Sequence, residues 1–278
     1  MEKKLVRRQG NVALSDQKEY KMKSYFDLKG QVAVVTGCST GLGVQMAKAL
    51  ANQGANIVAL ARRQDKIEAV ANEIKEQFGV ETLAVKCDIT DTEAVKAAVK
   101  KVLDHFKRID ILINNAGTGA IAPAEDITDE QFSNEVNVDL FGTFKVAREV
   151  AKQAMIPQKY GRIINIASMY GLVGNKIAGS SPYHAAKGGV VNLTRALAAE
   201  WGKYGITVNA ICPGYFYTPL TKETLDTPSF KAYADTVIPA ERYGNEGALD
   251  AAAIFLACDN SAYVNGVMLP VDGGYTCV

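Results

Sequence analysis

The stretch Val32-Ala33-Val34-Val35-Thr36-Gly37-Cys38-Ser39-Thr40-Gly41-Leu42-Gly43 decides the fold of this chain. Its first four residues form a short apolar, β-branched run, as a buried parallel strand requires. A glycine-rich turn follows, and then apolar residues recur at helical spacing through Met46 and Leu50. Glycines let the backbone approach a pyrophosphate, and the N-terminus of a helix offers free N–H groups and a positive dipole. A strand, a glycine-rich turn and a helix in this order predict a dinucleotide-binding unit.

The alternation of strands and helices continues along the rest of the chain. Apolar runs predict further strands at 57–60, 83–85, 111–113, 163–166, 207–211 and 267–271, and helices near 64–77, 92–106, 129–155, 184–203 and 245–258. Such alternation across short loops predicts a parallel sheet with helices on both faces. We predict a single α/β, doubly wound domain of the Rossmann type, with seven parallel strands in the order 3-2-1-4-5-6-7.

Composition and charge exclude several classes of protein. Of the 278 residues, 48% are hydrophobic and 22% are charged, as in an ordinary soluble globular protein. The net charge of +1, from 31 basic and 30 acidic side chains, argues against a nucleic-acid-binding surface. No apolar run reaches the roughly 18 residues that a membrane span needs. We expect no nucleic-acid partner, no membrane association and a cytoplasmic location.

Cysteines and histidines are scattered along the chain. The five cysteines are Cys38, Cys87, Cys212, Cys258 and Cys277. They show no CxxC spacing, which indicates reduced thiols rather than a disulfide framework. The two histidines, His105 and His184, have no cysteine or histidine neighbours. The sequence therefore predicts no metal site.

Residues 1–26 differ in composition from the rest of the chain. They are polar and basic at the start, and no apolar segment typical of a secretory signal follows. We predict a polar N-terminal extension over 1–26 and one globular domain over 27–278. The extension is expected to be flexible or loosely docked, or else to fold over a cofactor or a neighbouring subunit.

Further motifs follow the first one in a fixed order. Asn114-Asn115-Ala116-Gly117 follows the fourth predicted strand, Ser168 ends the fifth, Tyr183-His184-Ala185-Ala186-Lys187 lies on a predicted helix, and Pro213-Gly214 ends the sixth. With these motifs and the TGxxxGxG spacing of its first turn, the chain resembles the short-chain dehydrogenase/reductase family over about residues 28–278. The resemblance implies an NAD(P)-dependent enzyme that interconverts a secondary alcohol and a ketone. It also implies a homotetramer or homodimer.

Tyr183 and Lys187 carry the chemistry expected of such an enzyme. Four residues apart on a helix, their side chains share one face. At about 5 Å and an effective dielectric constant near 20, an ammonium attracts a phenolate by about 3 kcal/mol. Such a phenol can exchange a proton with an alcohol or a carbonyl. The resemblance implies that Tyr183 is the catalytic acid/base, that Lys187 supports it and holds the nicotinamide ribose, and that Ser168 hydrogen-bonds the substrate oxygen.

The catalytic set departs from the family at one position. The family has an asparagine in a pattern like N-x-x-G-x-F, whereas Asp139 stands in that register here and Asn137 lies two residues earlier. The asparagine of the family positions a relay water with its backbone carbonyl. The resemblance implies that Asp139 takes this fourth catalytic place while adding negative charge near Lys187. The 15-residue gap from Ser168 to Tyr183 also exceeds the usual one, which suggests an insertion on the substrate side.

The resemblance also implies which residues hold the cofactor. They are Gly37, Ser39, Thr40, Gly41, Leu42 and Gly43 at the phosphates, Arg62 and Asp88 at the adenosine, Asn115, Ala116 and Gly117 at the ribose, and Pro213, Gly214 and Thr218 at the nicotinamide. Ala61 replaces the acid of NAD-preferring relatives, and an adjacent arginine suits a 2′-phosphate. Thr40, however, is neutral where many NADP-preferring relatives carry a basic residue. We predict that either cofactor is used, with a modest preference for NADP(H).

The substrate is expected to bind between the loops that follow the fifth and sixth strands. Candidate lining residues are Met169, Tyr170, Val173, Tyr215, Phe216, Tyr217 and Leu220. Aromatic side chains with few charges suit a flat apolar ligand, and the segment 118–123 offers no cation for a carboxylate. A hydroxysteroid, as in 20β-hydroxysteroid dehydrogenases, is the first expectation. A sugar acid, as in gluconate 5-dehydrogenase-like proteins, is the second, and a 3-oxoacyl thioester is the third.

A non-enzymatic dinucleotide sensor is the alternative from another class of protein. Some relatives of this fold have lost catalysis, and a broken Ser/Tyr/Lys set marks them. In this chain Ser168, Tyr183 and Lys187 are all present. We therefore expect an enzyme.

Overall fold

Seven parallel strands form the centre of the molecule. The computed structural model describes residues 25–119, 122–176, 179–219 and 221–278. The strands are β1 (Val32–Thr36), β2 (Asn56–Ala61), β3 (Thr82–Lys86), β4 (Ile111–Asn114), β5 (Gly161–Ile166), β6 (Ile206–Pro213) and β7 (Met268–Val271). Their order is β3-β2-β1-β4-β5-β6-β7, and every neighbouring pair is parallel. The predicted doubly wound α/β fold and its strand order are confirmed.

Helices connect the strands and cover both faces of the sheet. In the described part of the chain they are α1 (Leu42–Asn52), α2 (Gln64–Phe78), α3 (Thr92–Phe106), α4 (Asp129–Val136), α5 (Thr143–Val150), α6 (Ile156–Gln158), α7 (Ser181–Trp201), α8 (Lys222–Leu225), α9 (Pro228–Val237) and α10 (Asp250–Ala257). Helix α7 begins three residues before the predicted start, with Pro182 in its first turn, where the missing N–H of proline costs no hydrogen bond. The short helices α8 and α9 were not predicted.

The apolar core has one layer on each face of the sheet, and β1 contributes to both. Ala33 and Val35 pack with α1, α2 and α10. Val32 and Val34 pack with α3, α5 and α7 on the opposite face. Successive side chains of a strand point to opposite faces, so a strand buried on both sides is apolar at every position. The continuous apolar run at the start of the chain has this cause.

The long helical connection between β4 and β5 is not uniform. The predicted single helix over 129–155 is divided by π-helical turns at Asn137–Gly142 and Ala151–Met155. Such turns change the hydrogen-bond spacing and are frequent at functional sites. At Gly142, a Cβ would lie 2.6 Å from Cδ1 of Ile89, so glycine lets the first π-helical turn pack closely on the loop after β3.

The chain ends and connections also bear on the predicted organisation. Residues 1–24 lie outside the described residues, so the extension over 1–26 stays a prediction. The described chain is anchored by Leu28, which is buried and donates its N–H to the Gln53 carbonyl at 2.9 Å. Among the described helices, none is long and apolar enough to cross a membrane.

Candidate active site

A cleft of about 820 Å³ lies at the carboxyl ends of the strands. This edge of the sheet is where open α/β folds bind ligands, because the chain leaves β1 and β4 in opposite directions there. All four predicted catalytic residues line the cleft, and so does every predicted cofactor residue except Gly43. The structure thus brings together side chains that are more than 100 residues apart in the sequence.

The glycine-rich turn gives the cleft a floor of exposed backbone. Gly37 has a φ of +66°, and a Cβ there would lie 2.8 Å from Cα of Ala116. At Gly43 a Cβ would lie 2.7 Å from the Gly37 carbonyl oxygen, so this glycine allows the turn to close. No side chain caps α1, and its first turn carries no acidic residue. The N-terminus of α1 therefore fits a pyrophosphate.

A set of hydrogen bonds fixes the end of β4 against the end of β1. The Thr36 hydroxyl accepts from the amides of Asn115 and Ala116 at 2.9 and 3.0 Å. The Asn115 side-chain amide donates back to the Thr36 carbonyl at 3.0 Å. Because the Asn115 side chain is used in this way, it is the backbone from Asn115 onward that faces the predicted ribose position.

Basic side chains lie at the end of the cleft where the adenosine of the cofactor is predicted to bind. Arg63 donates from Nη2 to the Ser39 hydroxyl at 2.9 Å and so ties the start of α2 to the glycine-rich turn. Hydrogen bonds from the amide and hydroxyl of Thr90 hold Asp88, and these bonds, with the charge of Arg62, lower the pKa of Asp88. Arg62 and Arg63 both line the cleft. Arg63 was not among the predicted site residues.

Lys187 lies in the cleft together with the other three predicted catalytic residues. It is 4% exposed, and its Nζ donates to the Ile166 carbonyl at 3.0 Å. The same Nζ lies 3.0 Å from Oδ2 of Asp139 and 5.5 Å from the centre of the Tyr183 ring. Burial, the largest influence, lowers the pKa of Lys187, but Asp139 and the neighbouring phenol outweigh it and raise that pKa above its usual value. Lys187 is therefore a charged ammonium beside Tyr183.

Asp139 lies in the first π-helical turn and is fully buried. Its Oδ1 accepts from the Thr118 amide at 2.8 Å, and Oδ2 faces Lys187. Its backbone carbonyl accepts from the Thr143 hydroxyl at 2.7 Å, whereas the Thr143 amide donates to Leu140. The carboxylate therefore forms an ion pair inside the site.

Ser168 follows β5 with an extended backbone and lines the cleft. It is 5% exposed, and its hydroxyl accepts from the Tyr170 amide at 3.1 Å. The hydroxyl proton stays available for a ligand. Tyr183, in the first turn of α7, lines the same cleft and is half-buried.

Comparison with known proteins agrees with this geometry. The family model of the short chain dehydrogenases matches residues 31–229. The chain belongs to the short-chain dehydrogenase family. A 2-dehydro-3-deoxy-D-gluconate 5-dehydrogenase of Formosa agariphila is 40% identical over 90% of this chain and 94% of its own length. The D-threitol dehydrogenase of Mycolicibacterium smegmatis is 38% identical over 90% of this chain and 95% of its own length.

A solved structure extends the comparison to the cofactor. The gluconate 5-dehydrogenase of Burkholderia cenocepacia, crystallised with NADP and tartrate, is 36% identical and superposes with a TM-score of 0.87. The match covers 91% of this chain and 98% of the other. The expected enzyme class is confirmed: this chain is an NAD(P)-dependent dehydrogenase acting on CH–OH groups.

The aromatic residues predicted to line the substrate site of this dehydrogenase lie largely elsewhere. Of Met169, Tyr170, Tyr215, Phe216 and Tyr217, the cleft includes Phe216 but none of the other four. Met169 is 2% exposed, and Tyr217 stacks on Tyr243 and donates to Asp226 at 3.1 Å. Among the further candidates, Leu220 lies outside the described residues, and Val173 does not line the cleft.

Tyr170 and Tyr215 belong to a cluster of phenols, which we call the tyrosine cluster and which also includes Tyr233 and Tyr275. The hydroxyls of Tyr170 and Tyr215 hydrogen-bond to each other, and those of Tyr233 and Tyr275 do so at 3.0 Å. The Tyr215 ring packs edge-on against Phe230 at 4.8 Å. Burial raises the pKa of Tyr170 and Tyr215, so both stay neutral. In the described part of the chain these rings pack against one another, and their predicted contact with a substrate stays a prediction.

Polar residues that were not predicted line the cleft instead. They include Thr90, Thr118, Asn134, Asn137 and Thr221. Asn134 and Asn137 are three residues apart, so they share one helical face, and both line the cleft together with Asp139. This i, i+3 spacing is visible in the sequence next to Asp139, and it is the signal that could have identified both asparagines. Among the described residues, no group of His, Cys, Asp and Glu side chains is placed to hold a metal ion.

Proposed function

We propose that this dehydrogenase interconverts a hydroxyl and a ketone on a sugar acid or polyol, the second expectation from the sequence, rather than on a hydroxysteroid. The observation that supports this proposal is the presence of polar side chains around the predicted catalytic residues. Thr118 and Asn137 line the same cleft as Tyr183, whereas Tyr170 and Tyr215 do not. Amide and hydroxyl groups can pair with the several hydroxyls of a sugar, which an apolar wall would leave without partners.

The named relatives support the same substrate class. The two enzymes described above are a 2-dehydro-3-deoxy-D-gluconate 5-dehydrogenase and a D-threitol dehydrogenase, and the solved structure is a gluconate 5-dehydrogenase. All three names give small polyhydroxylated substrates. The names do not agree on one compound, so the proposal is made for the class.

In the proposed mechanism, a bound nicotinamide cofactor would supply the hydride chemistry beside Ser168, Tyr183 and Lys187. The glycine-rich turn and the backbone of Asn115 to Gly117 would hold the cofactor. Ser168 binds the substrate oxygen through its hydroxyl. Tyr183 takes the proton of the substrate hydroxyl during oxidation and returns it during reduction. Lys187 stabilises the phenolate that forms, because its ammonium is buried and fixed beside the ring.

Steady-state assays with a matched set of substrates test this proposal. Gluconate, threitol and a 20β-hydroxysteroid would each be offered with NAD⁺ and with NADP⁺, and reduced nicotinamide would be followed by absorbance. We expect turnover with at least one of the two polyhydroxylated compounds and none with the steroid. Turnover with the steroid alone would overturn the proposal.

The cofactor preference has its own test in Arg62 and Arg63. Both line the cleft, and Arg63 donates to the Ser39 hydroxyl. We propose that the two side chains bind a 2′-phosphate through charge-assisted hydrogen bonds. Replacing both with alanine is expected to raise KM for NADP⁺ by roughly 10- to 100-fold, with little change for NAD⁺. Lys66→Ala, which removes an exposed cation of α2 outside the cleft, is the control. An equal rise of KM for both cofactors would contradict the preference for NADP(H).

A further inference from the structure

A buried ion pair lies beside Tyr183, and its negative member is Asp139. The side chains of Lys187 and Asp139 are 5% and 0% exposed, and 3.0 Å separates their charged atoms. Charges that are buried together interact far more strongly than charges in water, since the surrounding dielectric constant is lower. A negative charge on Asp139 therefore changes the electrostatic effect of Lys187 on its other neighbour, the Tyr183 ring.

The Asp139 carboxylate is held rigidly in this position. The Thr118 amide donates to Oδ1 at 2.8 Å. On the other side, a Cβ at Gly117 would lie 2.9 Å from Oδ2, so glycine leaves just enough room for this oxygen. Apart from Lys187, Oδ2 has no hydrogen-bond partner among the described residues. Oδ2 of the carboxylate therefore pairs with the Lys187 ammonium.

The other groups around Lys187 have weaker electrostatic effects on its ammonium than Asp139 has. Glu135 of α4 is buried, and its charge also raises the pKa of Lys187, but it ranks last among the influences. Cys212 of β6 also lies near this lysine, and burial raises the pKa of its thiol to about 11, so it stays neutral. From β5 only the Ile166 carbonyl contacts the ammonium. Among these groups, Asp139 is the one whose negative charge acts most strongly on the Lys187 ammonium.

We propose that Asp139 is a positioning residue that sets the pH dependence of this dehydrogenase by acting as the counter-ion of Lys187. Its negative charge cancels part of the attraction that the ammonium exerts on the phenolate of Tyr183. Alcohol oxidation, which needs that phenolate as the base, therefore requires a more alkaline solution than it would with a neutral amide at position 139. The inference rests on the proposed roles of Tyr183 and Lys187, and it does not depend on which sugar acid or polyol is the substrate.

The substitution Asp139→Asn tests the proposal with little change of shape. The amide oxygen still accepts from Thr118, while the charge is lost. We expect the rising limb of kcat against pH for alcohol oxidation to move to lower pH by about one to two units. The control Glu135→Gln removes a buried carboxylate that acts more weakly on Lys187, and a smaller shift is expected. An unchanged midpoint, or a move to higher pH, would overturn the proposal.

A second readout needs no substrate. Phenolate absorbance in the near ultraviolet is followed against pH, and subtraction of the same titration for Tyr183→Phe isolates the signal of Tyr183. This signal is expected at lower pH in Asp139→Asn than in the unaltered enzyme. If none of the sugar acids or polyols is turned over, the proposed substrate class fails, and the titration still decides the role of Asp139. If Asp139→Asn does not fold by circular dichroism, Asp139→Ser removes the same charge and is measured in its place.

Discussion

At the scale of single residues, the proposed chemistry depends on a phenol, an ammonium and a carboxylate that share one buried space. Lys187 is fixed on three sides, by Asp139, by the Ile166 carbonyl and by the Tyr183 ring. A fixed charge needs no reorganisation when the phenolate forms, which is the usual source of electrostatic catalysis. Tyr183 is therefore the side chain whose loss should affect turnover most selectively.

Tyr183→Phe removes the proposed acid/base and leaves the ring in place. We expect kcat to fall by about 10²- to 10⁴-fold, while the Kd for the nicotinamide cofactor, measured by fluorescence titration, changes little. Tyr204→Phe is the control, because Tyr204 is half-buried but does not line the cleft. Retained turnover in Tyr183→Phe would show that another group moves the proton.

The residues also show how far a sequence can predict a site. The spacing of Tyr183 and Lys187 predicts only that they share one face of a helix; their roles were predictable because the other motifs of the family surround them in the expected order. The glycine-rich turn was predictable because it follows a strand directly. The tyrosine cluster was not predictable, since an aromatic residue in a loop packs equally well against a ligand or against another ring. Which of the two occurs depends on α9, which supplies Phe230 and Tyr233 and was itself not predicted.

At the scale of elements, the glycine-rich turn and the π-helical turn are the two places where backbone geometry shapes the cleft. The strands were predictable from apolar runs, and the long helices from their periodicity. The π-helical turn was not, because the residues Asn137–Gly142 fit an ordinary helix in the sequence, and only the structure shows how closely Gly142 packs on Ile89. Sequence patterns report which face of an element is buried, whereas hydrogen-bond spacing within a helix responds to tertiary contacts.

The turn before α1 offers a prediction about stability. In Gly43→Ala the added Cβ would meet the Gly37 carbonyl oxygen at 2.7 Å and the side-chain nitrogen Nδ2 of Asn115 at 2.6 Å. Since a backbone atom cannot rotate away, we expect a loss of about 1–3 kcal/mol in the free energy of unfolding, together with weaker cofactor binding. Denaturant titration and a cofactor titration measure the two effects.

Gly188→Ala in α7 is the matched comparison for Gly43→Ala. The nearest atom to its added Cβ is the Gly171 carbonyl oxygen at 3.9 Å. This change should raise the free energy of unfolding by about 0.5–1 kcal/mol, because alanine favours a helix. If the two variants behaved alike, close packing of the turn would not be the reason for Gly43.

At the scale of the whole molecule, the fold buries four of the five cysteine thiols. Cys38, Cys87, Cys212 and Cys258 are buried, whereas Cys277 is exposed. Burial raises the pKa of Cys38 to about 12 and that of Cys87 to about 11, so neither forms a thiolate near neutral pH. Cys38, although it lies in the glycine-rich turn, is therefore protected from alkylation in the folded state.

Thiol labelling tests this arrangement. With an aromatic disulfide reagent, the native protein should release one equivalent of chromophore quickly, from Cys277, and five equivalents after denaturation. Cys277→Ser should abolish the fast phase and keep full activity, because Cys277 does not line the cleft. Rapid labelling of two or more thiols in the native protein would contradict the buried positions.

The contact between Gly214 and the end of β7 has a consequence for synthesis on the ribosome. Gly214 lines the cleft, its amide donates to the Val271 carbonyl at 3.0 Å, and a Cβ there would lie 2.7 Å from Cα of Asp272. A nascent chain that has emerged as far as Gly214 already carries all the predicted catalytic residues. It still lacks β7, which contacts the cleft residue Gly214. Without β7, the edge of β6 is open to pairing with other chains. The cleft is therefore complete only after β7 has been synthesised and has paired with β6.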